Sequence, residues 1–180
     1  MGSIVAAGQA CIAAQGVPDV VIASAGISLG MDSAVREDID VMAQTFATNS
    51  LGVVAAFHTF VAAMVARGSG ASVGIGSVAG IRGVPGHGAY CATKAAVISY
   101  CESLRGELWP SGVKVLTDCS GYIDNATDAE KPLCHDIFDE SLRVCRQGIW
   151  RDPGWSQLPR YSVAYGFGGQ AAARATQCAV

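Results

Sequence analysis

The sequence predicts an α/β domain built in three layers, with helices packed on a parallel sheet. Short β-branched runs set off by glycine and proline alternate with long stretches whose apolar residues recur at helical spacing. Strands separated by helices of that length imply βα units, and βα units imply parallel pairing. Composition agrees: 51% of the 180 residues are hydrophobic and 15% charged, which supports a sizeable core and argues against disorder. The length is that of one ordinary domain.

The first 16 residues are apolar and uncharged and read as the tail of an amphipathic helix. Signal-peptide character is missing, because the first basic residue is Arg36 and the apolar run is broken by Gly2, Ser3, Gly8, Gln9 and Gln15. The same interruptions exclude a bilayer span. Residues 19–25 (DVVIASA), between Pro18 and Gly26, form a buried strand. Residues 41–67 are a long helix with Met42, Phe46, Val53, Phe57, Phe60 and Met64 at helical spacing. Residues 72–77 (SVGIGS) form a second buried strand. Residues 90–109 form a second long helix, with Val97, Tyr100, Leu104 and Leu108 on one face and Pro110 as its stop. Residues 113–119 (VKVLTDC) form a third strand. A polar loop follows, then a helix near 136–147 and a strand or loop around 155–160.

Twelve basic and fifteen acidic side chains give a net charge of −3, without the basic cluster that nucleic acid or an anionic membrane requires. Seven cysteines, at 11, 91, 101, 119, 134, 145 and 178, are odd in number and irregularly spaced. They predict neither a disulfide framework nor a zinc site, and fit reduced thiols in the cytoplasm. His58, His87 and His135 keep no metal-ligand spacing to them, so no metal is expected.

The chemistry is concentrated in Tyr90-Cys91-Ala92-Thr93-Lys94. Residues four apart share one helix face, which sets the ammonium beside the phenol. A phenol in water ionises near pH 10, too high for a base at neutrality. A cation about 6 Å away, at an effective dielectric of about 20, favours the phenolate by on the order of 3 kcal/mol. Alone, this pair is most often a solvated surface contact. Ser77, however, leaves its strand at the carboxyl end, where parallel sheets place ligands, and its hydroxyl can hydrogen-bond a substrate oxygen. Asn49 lies in mid-helix, where asparagine is poorly suited, and a buried amide there could hold a water beside Lys94.

In order and spacing, Asn49, Ser77, Tyr90 and Lys94 resemble the catalytic set of the short-chain dehydrogenase/reductase family. PDVVIASAG (18–26) is similar to the family's strand ending in N-N-A-G, with Ala23 and Ser24 in place of both asparagines. GIGSVAG (74–80) is similar to the strand carrying the catalytic serine, and GVPGHGAYCATKAAV (83–97) to the region of the catalytic tyrosine. VKVLTDCSGYIDN (113–125) is similar to the strand leading into the P-G-x-x-x-T turn, with Ser120 for the proline and Asn125 for the threonine. The resemblance runs from about residue 10 to about 125, and makes that stretch the catalytic region.

The resemblance implies a Rossmann-like, doubly wound parallel sheet and hydride transfer between NAD or NADP and a secondary alcohol or ketone. Tyr90 would be the acid/base; Lys94 would favour its phenolate and hold the nicotinamide ribose. Ser77 would bind the substrate oxygen and Asn49 would anchor a relay water. Ala25, Gly26, Tyr90, Lys94, Ser120, Gly121, Ile123 and Asn125 would line the cofactor. Residues 122–141 would be the substrate loop, with a C-terminal strand and helix over 145–180. The two long helices would pair a homodimer or homotetramer.

The family's opening strand and T-G-x-x-x-G-x-G phosphate turn are not in this sequence, so the whole of 1–180 reads as a single partial domain. Residues 166–171 (GFGGQA) hold only a lone GxGxxA. With the family's strand order 3-2-1-4-5-6-7, strand 19–25 would be left as an exposed apolar edge. Three readings stay open: a shortened oxidoreductase, a degenerate member that does not bind dinucleotide and is inactive alone, and an oligomerisation or interaction module.

Overall fold

The computed structural model describes residues 2–121 and 162–164. In chain order they form α1 (Gly2–Gln15), β1 (Val20–Ala23), α2 (Asp38–Phe46), a π-helical turn (Ala47–Leu51), α3 (Gly52–Arg67), β2 (Gly70–Ile75), a 3-10 turn (Val78–Gly80), α4 (Gly88–Leu108), a second 3-10 turn (Trp109–Ser111), β3 (Val113–Asp118) and β4 (Ser162–Ala164). The expected helix near 136–147 and strand near 155–160 lie outside the described residues.

The fold is the expected α/β, Rossmann-like arrangement on a parallel sheet, with strand order β3-β2-β1-β4. β1 pairs with β2 (Val20 opposite Ala71) and β2 with β3 (Gly70 opposite Val113), all parallel. One expectation is corrected: β1 is not left with a bare edge. β4 lies parallel along it, with Val21 opposite Ser162 and Ala23 opposite Ala164. Those main-chain groups are satisfied by a late segment of the same chain, which removes the unpaired edge that invites aggregation.

Side-chain alternation decides which sheet face is covered. Val21 and Ala23 of β1 and Val113 and Val115 of β3 enter one core with Val53, Phe57, Phe60 and Met64 of α3 and Val97, Cys101, Leu104 and Leu108 of α4. Ile4 and Ile12 of α1 pack against the same core. On the opposite sheet face, Ile22, Val73, Ile75 and Leu116 are only partly buried.

By length and composition the run Asp38–Arg67, which holds an 18-residue stretch of mean hydropathy 1.6, could cross a membrane. Here its Phe57 and Met64 are fully buried against the sheet, and soluble core helices share that composition. At its end Gly68, with φ +76°, closes α3 in the left-handed conformation that glycine tolerates best. Arg67 then donates to Val17 O, Pro18 O and Ser69 O and pairs with Asp19 at 3.3 Å. That one guanidinium ties the entry to β1 to the end of α3.

Glycine is also required where the 3-10 turn meets α4. A Cβ on Gly80 would stand 2.7 Å from the carbonyl carbon of Lys94 and 2.8 Å from Ala95 N. These neighbours are helix backbone and cannot swing aside. Gly80→Ala is therefore expected to lower the unfolding free energy by about 1–3 kcal/mol, the usual cost of overpacking. Gly83→Ala, where a Cβ meets nothing within 4 Å, is the control and should stay within about 0.5 kcal/mol of the parent. Urea denaturation midpoints check both.

Candidate active site

The candidate residues come from the carboxyl ends of three neighbouring strands and from the helices: Asn49 lies in the π-helical turn, and Tyr90 and Lys94 lie on α4. β1 runs out through Ser24, Ala25 and Gly26 to Ile27. β2 runs out to Ser77, and β3 to Cys119 and Ser120. The exits are joined by main-chain bonds: Gly76 N donates to Asp118 O at 2.7 Å, and Val78 N to Ser120 O at 3.2 Å. Parallel strands end side by side, so residues distant in sequence converge at this edge.

Asn49 sits in the π-helical turn and is fully buried. Wider turns of this kind occur mostly as single insertions in α-helices, frequently at functional sites. Its Oδ1 accepts from Ile27 N at 2.8 Å, while its Nδ2 donates to Ile27 O at 2.9 Å and to Thr93 Oγ1 at 3.0 Å. A carboxamide has two N–H donors, and both are used here. The side chain therefore clasps the loop after β1 and helix α4, while Oδ1 keeps a second acceptor lone pair.

Thr93 was not singled out from the sequence, yet it is the link to Tyr90. Fully buried, it receives the Asn49 amide and donates to Tyr90 O at 2.8 Å. The available signal was its place beside Lys94 on the buried side of the helix, which looks like ordinary core packing.

Lys94 is 4% exposed. Its Nζ donates to Ile75 O at 2.8 Å and lies 5.6 Å from the centre of the Tyr90 ring. The expected proximity of ammonium and phenol is thus present. Burial pushes the Lys94 pKa below its ordinary 10.5, opposed in part by Cys119 nearby. Gly26 lies against the same group: a Cβ there would be 3.5 Å from Lys94 Nζ and 3.8 Å from Asn49 Oδ1. Ser77, 8% exposed, adopts an extended conformation, and its Oγ accepts from Ala79 N at 3.2 Å. Ile123 and Asn125, with the loop 122–141 and the glycines of 166–171, lie outside the described residues.

The Lys94 shift has a sign that can be tested. Below its folded pKa, Lys94 is charged in both states and the folded state bears the desolvation cost. Between that value and 10.5, the unfolded chain binds the extra proton, so this residue's contribution to stability rises with pH. Burial raises the pKa values of Cys101 and Tyr100, which makes stability fall with alkaline pH and opposes the trend. Lys94→Met isolates the lysine. The unfolding free energy of the parent minus that of the variant should grow as pH approaches 10.5, measured by urea titrations at several pH values.

Comparison with known proteins accords with this geometry. The family described as short chain dehydrogenase matches residues 2–136. An uncharacterized oxidoreductase of Myxococcus xanthus is 36% identical over 145 residues, which cover 78% of this chain and 56% of that protein. The crystal structure of serine dehydrogenase from Escherichia coli superposes with a TM-score of 0.62 at 29% identity, covering 67% of this chain and 56% of that one. A structure titled ElxO with NADP bound gives a TM-score of 0.66 at 26% identity, over 70% of this chain and 51% of that one. The chain spans about half the length of the relatives it matches. With a family match over residues 2–136, most of its length, the chain belongs to the short-chain dehydrogenase family.

Proposed function

We propose that this chain carries the proton-handling half of a nicotinamide-dependent oxidoreductase acting on a secondary alcohol or ketone. The observation that carries the reading is the path from Asn49 through Thr93 to the turn of Tyr90, with Lys94 beside the phenol. Tyr90 exchanges a proton with the substrate oxygen, and the neighbouring ammonium stabilises the phenolate left behind. Ser77 Oγ hydrogen-bonds the same oxygen and orients it. The donor it engages now, Ala79 N, uses one acceptor lone pair and leaves the hydroxyl proton available for that bond.

The residues fit the nicotinamide-ribose end of NAD or NADP. Gly26 is exposed and lacks the side chain that would fill the approach to Lys94. Lys94 spends one of three ammonium donors on Ile75 O, which leaves donors for ribose hydroxyls. Ala25, Ser120 and Gly121 add little bulk at the strand ends, and Ile123 and Asn125 belong to the same proposed lining. When bound, the cofactor supplies or accepts the hydride. The relative solved with NADP supports a nicotinamide cofactor without choosing between NAD and NADP. A second copy would pack along α3 and α4, in a soluble cytoplasmic protein.

A second reading is favoured by one observation. Among the described residues no strand leads into a helix through a T-G-x-x-x-G-x-G turn, since the glycines between β2 and α4 (Gly76, Gly80, Gly83 and Gly86) are spaced differently. That arrangement suits a degenerate member, inactive alone or retained as an oligomerisation module. Titration with NADH and NADPH, followed by nicotinamide fluorescence, together with turnover of simple ketones separates the two. On the first reading cofactor binds, and Tyr90→Phe lowers kcat by about 10²–10⁴-fold with binding retained. Absence of binding at millimolar cofactor selects the second.

A further inference from the structure

Helix α4 begins without a capping side chain of its own. Its N-cap, His87, makes no side-chain hydrogen bond to the first turn, where four main-chain N–H groups need acceptors. One acceptor comes from the loop after β1: Ala89 N donates to Met31 Sδ at 3.1 Å. Two more contacts join the same segments. Met31 N donates to Gly86 O at 2.8 Å, and Ser28 Oγ is hydrogen-bonded to His87 Nδ1 at 3.2 Å. Residues 28–31 therefore zip onto residues 86–89. At its near end this loop is held by Asn49, through both main-chain groups of Ile27.

Tyr90 follows Ala89 directly and is bracketed by these bonds. Its amide side is tied to the loop through Ala89, and its carbonyl is tied through Thr93 to Asn49. A thioether is a weak acceptor. Ala89 is fully buried, however, so water cannot stand in for the sulfur, and an N–H left unpaired there bears its whole desolvation cost. The sulfur also lies over the helix start, since a Cβ on Gly88 would be 3.5 Å from it.

We propose that Met31 is a positioning residue for Tyr90: its thioether caps α4 and fixes the turn from which the phenol projects. The proposal rests on the reading of Tyr90 as the acid/base group. Catalytic groups tolerate little misplacement, so a cap one residue away bears directly on the reaction geometry.

Two substitutions test it on the full chain. Met31→Leu keeps the volume and removes the acceptor. Met31→Gln places a stronger acceptor, a carbonyl oxygen, at similar reach. Hydrogen exchange of the Ala89 amide, followed by NMR, should accelerate about 5-fold in Met31→Leu, the factor corresponding to one ordinary hydrogen bond, and return toward the parent rate in Met31→Gln. The Cζ resonance of 13C-labelled Tyr90, assigned with Tyr90→Phe, should move in Met31→Leu and return in Met31→Gln, while that of Tyr100 stays in place. Met42→Leu, on α2, should change neither signal. An unchanged Ala89 exchange rate or an unmoved Tyr90 resonance in folded Met31→Leu overturns the proposal. These signals need no turnover. If Tyr90→Phe leaves ketone reduction intact, the acid/base reading fails, while Met31 as the cap is still judged by the Ala89 exchange rate and the Tyr90 resonance.

Discussion

One buried carboxamide organises the site. An amide taken out of water into an apolar helix interior is unfavourable unless its hydrogen bonds are replaced, and Asn49 replaces them with Ile27 and Thr93. The Ile27 pair is reciprocal, one bond given and one received on the same residue, so it fixes the height and the direction of the loop. Gly26 is thereby set against Lys94, and the Thr93 branch holds the turn that carries Tyr90. The π-helical turn falls at residues 47–51, around Asn49. A long helix with a wider turn at this point can both continue the core packing of α3 and present a polar group sideways.

The second constraint is the buried lysine. Enclosing an ammonium between α4 and the strand ends costs desolvation, and the direction of the Lys94 shift shows that this effect outweighs the favourable Cys119 contribution. The hydrogen bond to Ile75 O is the local compensation. That carbonyl is the last of β2, where the parallel ladder runs out and a strand carbonyl becomes available to a side chain. Strand termination and cation placement thus have one origin. The 3-10 turn that follows presses on the backbone of α4 at Lys94 and Ala95, which only Gly80 permits.

Legibility in the sequence followed the range of the interactions. The spacing of Tyr90 and Lys94 is local to one helix, so the pattern placed both groups on one face before any coordinates. The strands expected at 19–25, 72–77 and 113–119 from β-branched runs and flanking glycine or proline are found at 20–23, 70–75 and 113–118, so β2 ends two residues before Ser77; the long helices were marked by apolar periodicity. Asn49 was visible as an anomaly, a polar residue in an apolar helix, but its partners at Ile27 and Thr93 are 22 and 44 residues away, and no periodicity encodes them. The Met31 cap was not foreseen, because methionine in a loop resembles any apolar residue. β4 was missed for a related reason. Ser162–Ala164 is three residues long, and what makes it a strand is the unpaired edge of β1, a tertiary demand that overrides weak local propensity.

These interactions also satisfy the polar groups of the described site among themselves. Asn49, Ser77, Thr93 and Lys94 each find a hydrogen-bond partner between residues 27 and 93. Among the described residues Ser72 Oγ alone is a buried side-chain polar atom with no partner, and it lies in mid-strand, away from the strand ends. On the proposed reading, proton handling draws on groups that these bonds fix. Holding a dinucleotide is a different physical task, because a pyrophosphate needs several inward main-chain N–H groups at a helix start. The described strand exits are tied to one another, Gly76 to Asp118 and Val78 to Ser120, so these main-chain donors are already engaged. On the proposed reading, activation of the substrate oxygen and capture of the cofactor phosphates are separate physical tasks, and the contacts among Asn49, Thr93, Tyr90 and Lys94 serve the first.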